Sequence, residues 1–92
     1  MLSFSFILDE QSMHARNLAY TGGIEEEEFE RARELKLVEN HLDYYSKFRW
    51  NCQQVRQKRA LLTPVTEVAI PNLASILRQA FAAECGLVAF GD

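Results

Sequence analysis

A mainly α fold is what this sequence predicts, on three observations. Residues 24 to 62 contain neither glycine nor proline. Apolar side chains recur through that segment at helical steps. Thr63-Pro64 then interrupts it, and Pro71 opens a second segment with a broad apolar face. The expected architecture is a small helical domain spanning 1–92. It has one long central helix, a short N-terminal helix and a docked C-terminal helix, preceded by an extended N-terminal arm.

Leu2, Phe4 and Phe6 alternate with serine, and Leu8 completes the row. Period-two alternation places these side chains on one face of an extended segment. No second strand is evident nearby, so the segment reads equally as an arm on the helices or as a strand pairing across a dimer. Residues 9–20 read as a first helix of about three turns. Asp9 serves as its cap, and Met13, Ala15 and Leu18 form its apolar side. Thr21-Gly22-Gly23 stops it, because paired glycines accept backbone angles that other residues resist.

The central segment opens with Glu25, Glu26, Glu27 and Glu28 and closes with Arg56, Lys58 and Arg59, an order that complements a helix macrodipole. Leu35, Val38, Leu42, Tyr45, Cys52 and Val55 follow steps of three, four, three, seven and three, with Phe48 flanking the stripe. An unbroken helix over this span would be about 55 Å long. Such a rod must project, bend or meet another subunit. Val65 to Ile70 forms an apolar connector. From Pro71 to about Ala83, Leu73, Ile76, Leu77, Ala80 and Phe81 give a helix with a docking face. Gly86 reads as its stop, and Leu87 to Phe90 as a short apolar tail.

Hydrophobic residues make up 48% and charged residues 25%, with only 4 Gly and 2 Pro, the profile of a folded domain. A formal charge of -3 argues against a generally nucleic-acid-binding or anionic-membrane surface. No apolar run approaches the ~20 residues of a spanning helix. The apolar N-terminal stretch lacks the basic lead and cleavage site of a secretory signal. Cytoplasm is the expected location. Cys52 and Cys85 read as reduced, partly buried thiols, and their spacing does not decide whether they can pair.

Charge is segregated along the central segment. Five acids lie within Glu25–Glu30, whereas Lys47, Arg49, Arg56, Lys58 and Arg59 supply five bases with no acid between them. Antiparallel helices would match acidic end to basic end. The expectation is a homodimer through Leu35, Val38, Leu42, Tyr45, Phe48, Cys52 and Val55, weighed against simple dipole compensation on a wetted face.

The cluster Tyr44-Tyr45-Ser46-Lys47-Phe48-Arg49-Trp50 cannot all face one core. Tyr44, Arg49 and Trp50, with Gln53 and Arg56, form a candidate partner-binding surface of residue types enriched at binding hot spots. The competing reading makes them ordinary core. Lys47, Arg49, Arg56 and Arg59 would be the nucleic-acid-binding patch if they formed a continuous solvent-facing stripe.

His14 and His41, with Glu10, Glu30 and Glu34, are the sole candidates for a mixed histidine–carboxylate site. The spacings of zinc sites and di-iron bundles are missing, so neither a metal nor a cofactor is expected. No nucleophile elbow or phosphate-cradling loop is present. The sequence thus favours a non-catalytic protein–protein interaction module, such as a small adaptor, regulator or assembly factor, acting through an amphipathic helical surface. The alternatives are a small enzyme or cofactor-binding protein with a pocket between subunits, and a helical nucleic-acid-binding protein.

Overall fold

Phe4, Phe48 and Trp50 come together on one face of a four-stranded antiparallel sheet in the computed structural model, which describes every residue except His14, Arg16 and Asp92. In chain order the elements are β1 (Leu2–Ile7), β2 (Tyr20–Ile24), α1 (Glu26–Glu34), β3 (Lys47–Trp50), α2 (Cys52–Ala60), α3 (Pro64–Ala69), α4 (Pro71–Ala82) and β4 (Gly86–Phe90). The sheet order is β2-β1-β4-β3, so the first and last strands of the sequence are its two central members.

Paired residues in an antiparallel ladder share a face. Leu2 opposite Ile24, Phe4 opposite Ala89, and Trp50 opposite Leu87 therefore define the inner face. There α2 and α4 pack against one another and on the strands. At Gly22 an added Cβ would lie 3.2 Å from Ile76, which shows how closely α4 approaches β2. Ser3, Ser5, Val88, Phe90, Lys47 and Arg49 belong to the opposite face. The 8–19 segment is tied to that side by Arg49, whose guanidinium donates to the carbonyls of Leu8 (3.0 Å) and Gln11 (2.7 Å).

The mainly α expectation is overturned: the molecule is a mixed α/β fold whose core is built on the sheet, neither an all-alpha fold nor a helical bundle. The N-terminal arm is a central strand. No described residue between 9 and 19 is helical, and Phe6 N–H donating to the Ala19 carbonyl returns the chain beside β1. Thr21-Gly22-Gly23 lies within a strand, and the apolar tail is β4. The single central helix is instead α1, a loop, β3 and α2. Only α4 keeps the expected range closely.

What breaks the long segment is a helix stop without a glycine. Lys36 takes the left-handed conformation, with φ 67°. Leu37 N–H then reaches the Ala32 carbonyl, and Lys36 N–H the Arg33 carbonyl. These are the two bonds of a Schellman cap, with lysine where glycine usually stands. Glu84, at φ 55°, does the same after α4, with Cys85 and Glu84 donating to Ala80 and Phe81.

Helix starts are satisfied across elements. Ile70 offers α4 no side-chain cap, and the buried Glu28 carboxylate of α1 takes that role, accepting from Leu73 N–H (2.7 Å) and Asn72 Nδ2 (2.9 Å). A reciprocal Asn51–Gln54 capping box starts α2, and Asp9 accepts from the Cys52 amide at 2.9 Å.

Two substitutions test this geometry by urea unfolding. Lys36→Gly should raise stability by about 1 kcal/mol, because glycine carries no Cβ penalty in the left-handed region. Gly86→Ala should lower it by about 2 kcal/mol or more, since its Cβ would sit 2.3 Å from the Trp50 carbonyl oxygen.

Candidate interaction surface

Trp50 and Tyr44 are core residues of the monomer, only 1% and 5% exposed. A buried indole needs an acceptor for its N–H. Trp50 Nε1 finds one in Glu39 Oε2 at 3.1 Å. The other oxygen of that carboxylate is paired with Lys58, whose ammonium also donates to the Leu37 carbonyl at 2.8 Å and lies 4.4 Å from the centre of the indole. Lys58 thus packs its stem in the interior and spends its charge on Glu39 and the ring. Burial pushes the Glu39 carboxyl up, but the hydrogen bond and charge of Lys58 outweigh it and hold the group below its ordinary value.

Arg49, between these two aromatics in sequence, is committed to the backbone carbonyls of Leu8 and Gln11. Gln53 and Arg56 are exposed on α2. The residues of the expected self-association stripe do not share a helix face. Leu35 caps α1 and is exposed, Val38 and Leu42 belong to the loop against the core, and Tyr45 is exposed before β3. Phe48 is buried in β3, Cys52 is half-buried, and Val55 is buried on α2.

Four exposed apolar residues lie at the end of α2, on α3 and on α4, whereas Met1, Leu8, Tyr20, Leu35 and Tyr45 are exposed elsewhere. Val65 and Val68 are 78% and 81% exposed, and Leu61 and Phe81 are 55% and 45% exposed. α3 buries no residue at all, yet polar contacts fix it from several sides. A Thr63–Thr66 capping box and Pro64 set its start. Arg31 Nε donates to the Ala69 carbonyl at 2.7 Å, and Glu67 is paired with Arg78 of α4. Arg59 of α2 lies over the Phe81 ring, 5.7 Å from its centre. β-Branched residues are weak helix formers, so neither propensity nor burial accounts for two outward valines. Held in place by its polar neighbours, the helix presents them in a fixed geometry. Six residues are too few to reveal a helical period, so in sequence this stretch looks like a connector.

Among the candidate ligating residues, His41, Glu10 and Glu34 are exposed and Glu30 is paired with Arg33; His14 lies outside the described residues. Among the described residues no group of three or more His, Cys, Asp or Glu side chains is placed to hold a metal ion. Nor, among them, is any helix long and apolar enough to cross a membrane. Of the proposed basic patch, Lys47 lies over the Phe90 ring and Arg49 on the loop carbonyls, whereas Arg56 and Arg59 ride on α2, which packs on the inner face of the sheet. No family model matches this chain, and no curated protein or solved structure matches it significantly.

The Glu39–Lys58 pair gives a pH test. A carboxyl held lower in the folded state than in the unfolded chain stabilises fully above the unfolded range, about 4.3, and loses that contribution as pH falls through the folded value. Glu39→Gln should flatten the acid limb of the stability-against-pH curve. At neutral pH it should cost about 2 kcal/mol by leaving Lys58 without its counter-charge, less than a fully buried pair would. Denaturant titrations of both proteins between pH 3 and 7 check this.

Proposed function

We propose that this protein is a non-catalytic protein–protein interaction module, a small adaptor, regulator or assembly factor that docks through the ridge of Leu61, Val65, Val68 and Phe81. One observation carries the reading: α3 is fixed by polar contacts at both ends while its valines are given to solvent. Single exposed apolar residues are ordinary on any protein surface. Several such residues on neighbouring elements held by polar contacts, with charged residues at their margin, suit a docking site.

The first partner of this ridge is a second copy of the chain. A two-fold contact joins a patch to itself, so its margin must offer both signs of charge. This margin does, with Glu67 on α3 and Arg59 and Arg78 on α2 and α4. Valines three residues apart on a short helix can pack against the same pair turned through the axis.

Light scattering over a concentration series should give a dimer for the natural sequence. In the double variant Val65→Glu, Val68→Glu, self-association should weaken at least about tenfold, equivalent to roughly 1.4 kcal/mol. Helicity should be unchanged, as should the unfolding midpoint at concentrations low enough that both proteins are monomeric. A natural chain that stays monomeric throughout, or a double variant that dimerises as well, would overturn self-docking at this ridge.

A further inference from the structure

The β3–β4 register leads beyond the ladder to a second feature. The ladder pairs Lys47 with Phe90, Phe48 with Ala89, Arg49 with Val88 and Trp50 with Leu87. Continued by two steps, that register sets Asn51 opposite Gly86 and Cys52 opposite Cys85. The first of these steps is visible in the packing: a Cβ on Gly86 would lie 3.1 Å from the Asn51 Cα, so the two backbones are still in close contact there. Each cysteine occupies a joint, Cys52 where β3 passes into α2 and Cys85 where α4 passes into β4. Both are free thiols.

β1 closes the third side. Ile7 pairs with Gly86, and the Asp9 carboxylate accepts from the Cys52 amide. The ladder proper ends at Trp50–Leu87, two residues short of each cysteine, but Asn51 is still extended, so the two cysteines flank the point where Gly86 and Asn51 meet. A disulfide there needs Cα atoms about 4.4–6.8 Å apart. Burial pushes the Cys85 thiol up, and the nearby Cys52 thiol and Asp9 carboxylate push the same way. Access differs between the two, since Cys52 is half-buried and Cys85 buried. Cys85 nevertheless forms part of the wall of a cleft of about 280 Å³, with Phe6, Leu8, Leu18 and Ala83.

We propose that Cys52 and Cys85 form a thiol–disulfide exchange site whose substrate is a low-molecular-weight disulfide and whose product is an intramolecular Cys52–Cys85 bond. The more accessible Cys52 gives its proton to solvent, and its thiolate attacks one sulfur of the small disulfide. The S–S bond breaks, and one small thiolate leaves and takes up a proton. Cys85 then loses its proton and attacks the Cys52 sulfur, expelling the second small thiolate, which is protonated in turn. Two protein thiols are oxidised to one disulfide, while one small disulfide is reduced to two thiols. The new bond closes a loop containing α2, α3 and α4, so the oxidised chain has fewer unfolded conformations and should resist urea better.

The test uses the reduced natural chain, incubated folded with oxidised glutathione, then alkylated and mapped by mass spectrometry. Support is the joint loss of both thiols, a monomer mass lower by two hydrogens, a Cys52 peptide joined to a Cys85 peptide, and reversal by dithiothreitol. The urea midpoint should rise on oxidation. Cys85→Ser should stop at one glutathione held on Cys52; if that variant does not fold, the map of the natural chain decides alone. Two unreacted thiols, a stable glutathione adduct on Cys52 of the natural chain, or a bond between chains would each overturn the proposal.

Discussion

Burying Trp50 obliges this chain to place a hydrogen-bond acceptor against the indole at the edge of the core, and much of the structure follows from how it does so. Glu39 accepts from the indole, Lys58 neutralises Glu39, and the Leu37 carbonyl takes a further ammonium hydrogen. Loop, strand and helix are thereby pinned at one place. The loop between α1 and β3 has little regular structure of its own, yet Leu37, Val38 and Tyr44 are buried in it. On one side the indole meets Phe4 and Phe48, with ring centres 5.8 Å and 5.3 Å away, which carries the same constraint into the sheet.

Elsewhere the fold relies on polar groups lent by one element to another. Glu28 supplies α4 with the cap its own preceding residue lacks, and Arg31 completes the end of α3. Asp9, just after β1, steadies the first turn of α2. Helix ends carry backbone groups with no partner inside the helix, and here their partners come from distant sequence. Helices of six, nine and twelve residues would be marginal alone. Such exchanges fix their positions as well as their ends. They also leave α3 well placed without asking it to contribute to the core.

Helical content was legible where periodicity and punctuation agreed. Pro71 and the Leu73–Ala80 face gave α4, but the acidic and basic blocks suggested the two ends of one helix, whereas they fall on α1 and on β3 with α2. The sheet was hidden for separate reasons. β4 is buried on both faces, so Leu87, Val88 and Ala89 form a continuous apolar run rather than an alternation. β2 contains two glycines, one lying under Ile76, and glycine pairs read as turns. β3 alternates Phe48 with Trp50, but only four residues long it was absorbed into a helical repeat. Lys36 concealed the break in that repeat because a left-handed lysine leaves no mark in sequence. The candidate surface suffered most: residues 65–70 offered too little length for a period, and their exposure depends on contacts made by Arg31 and Arg78 from elsewhere.

The place of β4 in the sheet has a consequence for how the molecule comes into being. Its residues, 86–90, are the only link between the β1–β2 hairpin and β3 in the sheet order. β1 and β2 can pair without it, but the inner face has no continuous floor until β4 lies between β1 and β3. Phe4, Phe48 and Trp50 therefore lack their full cover until β4 is in place. Pairings of such long sequence separation form slowly, so the sheet should close later than the core of a helical bundle of equal length would.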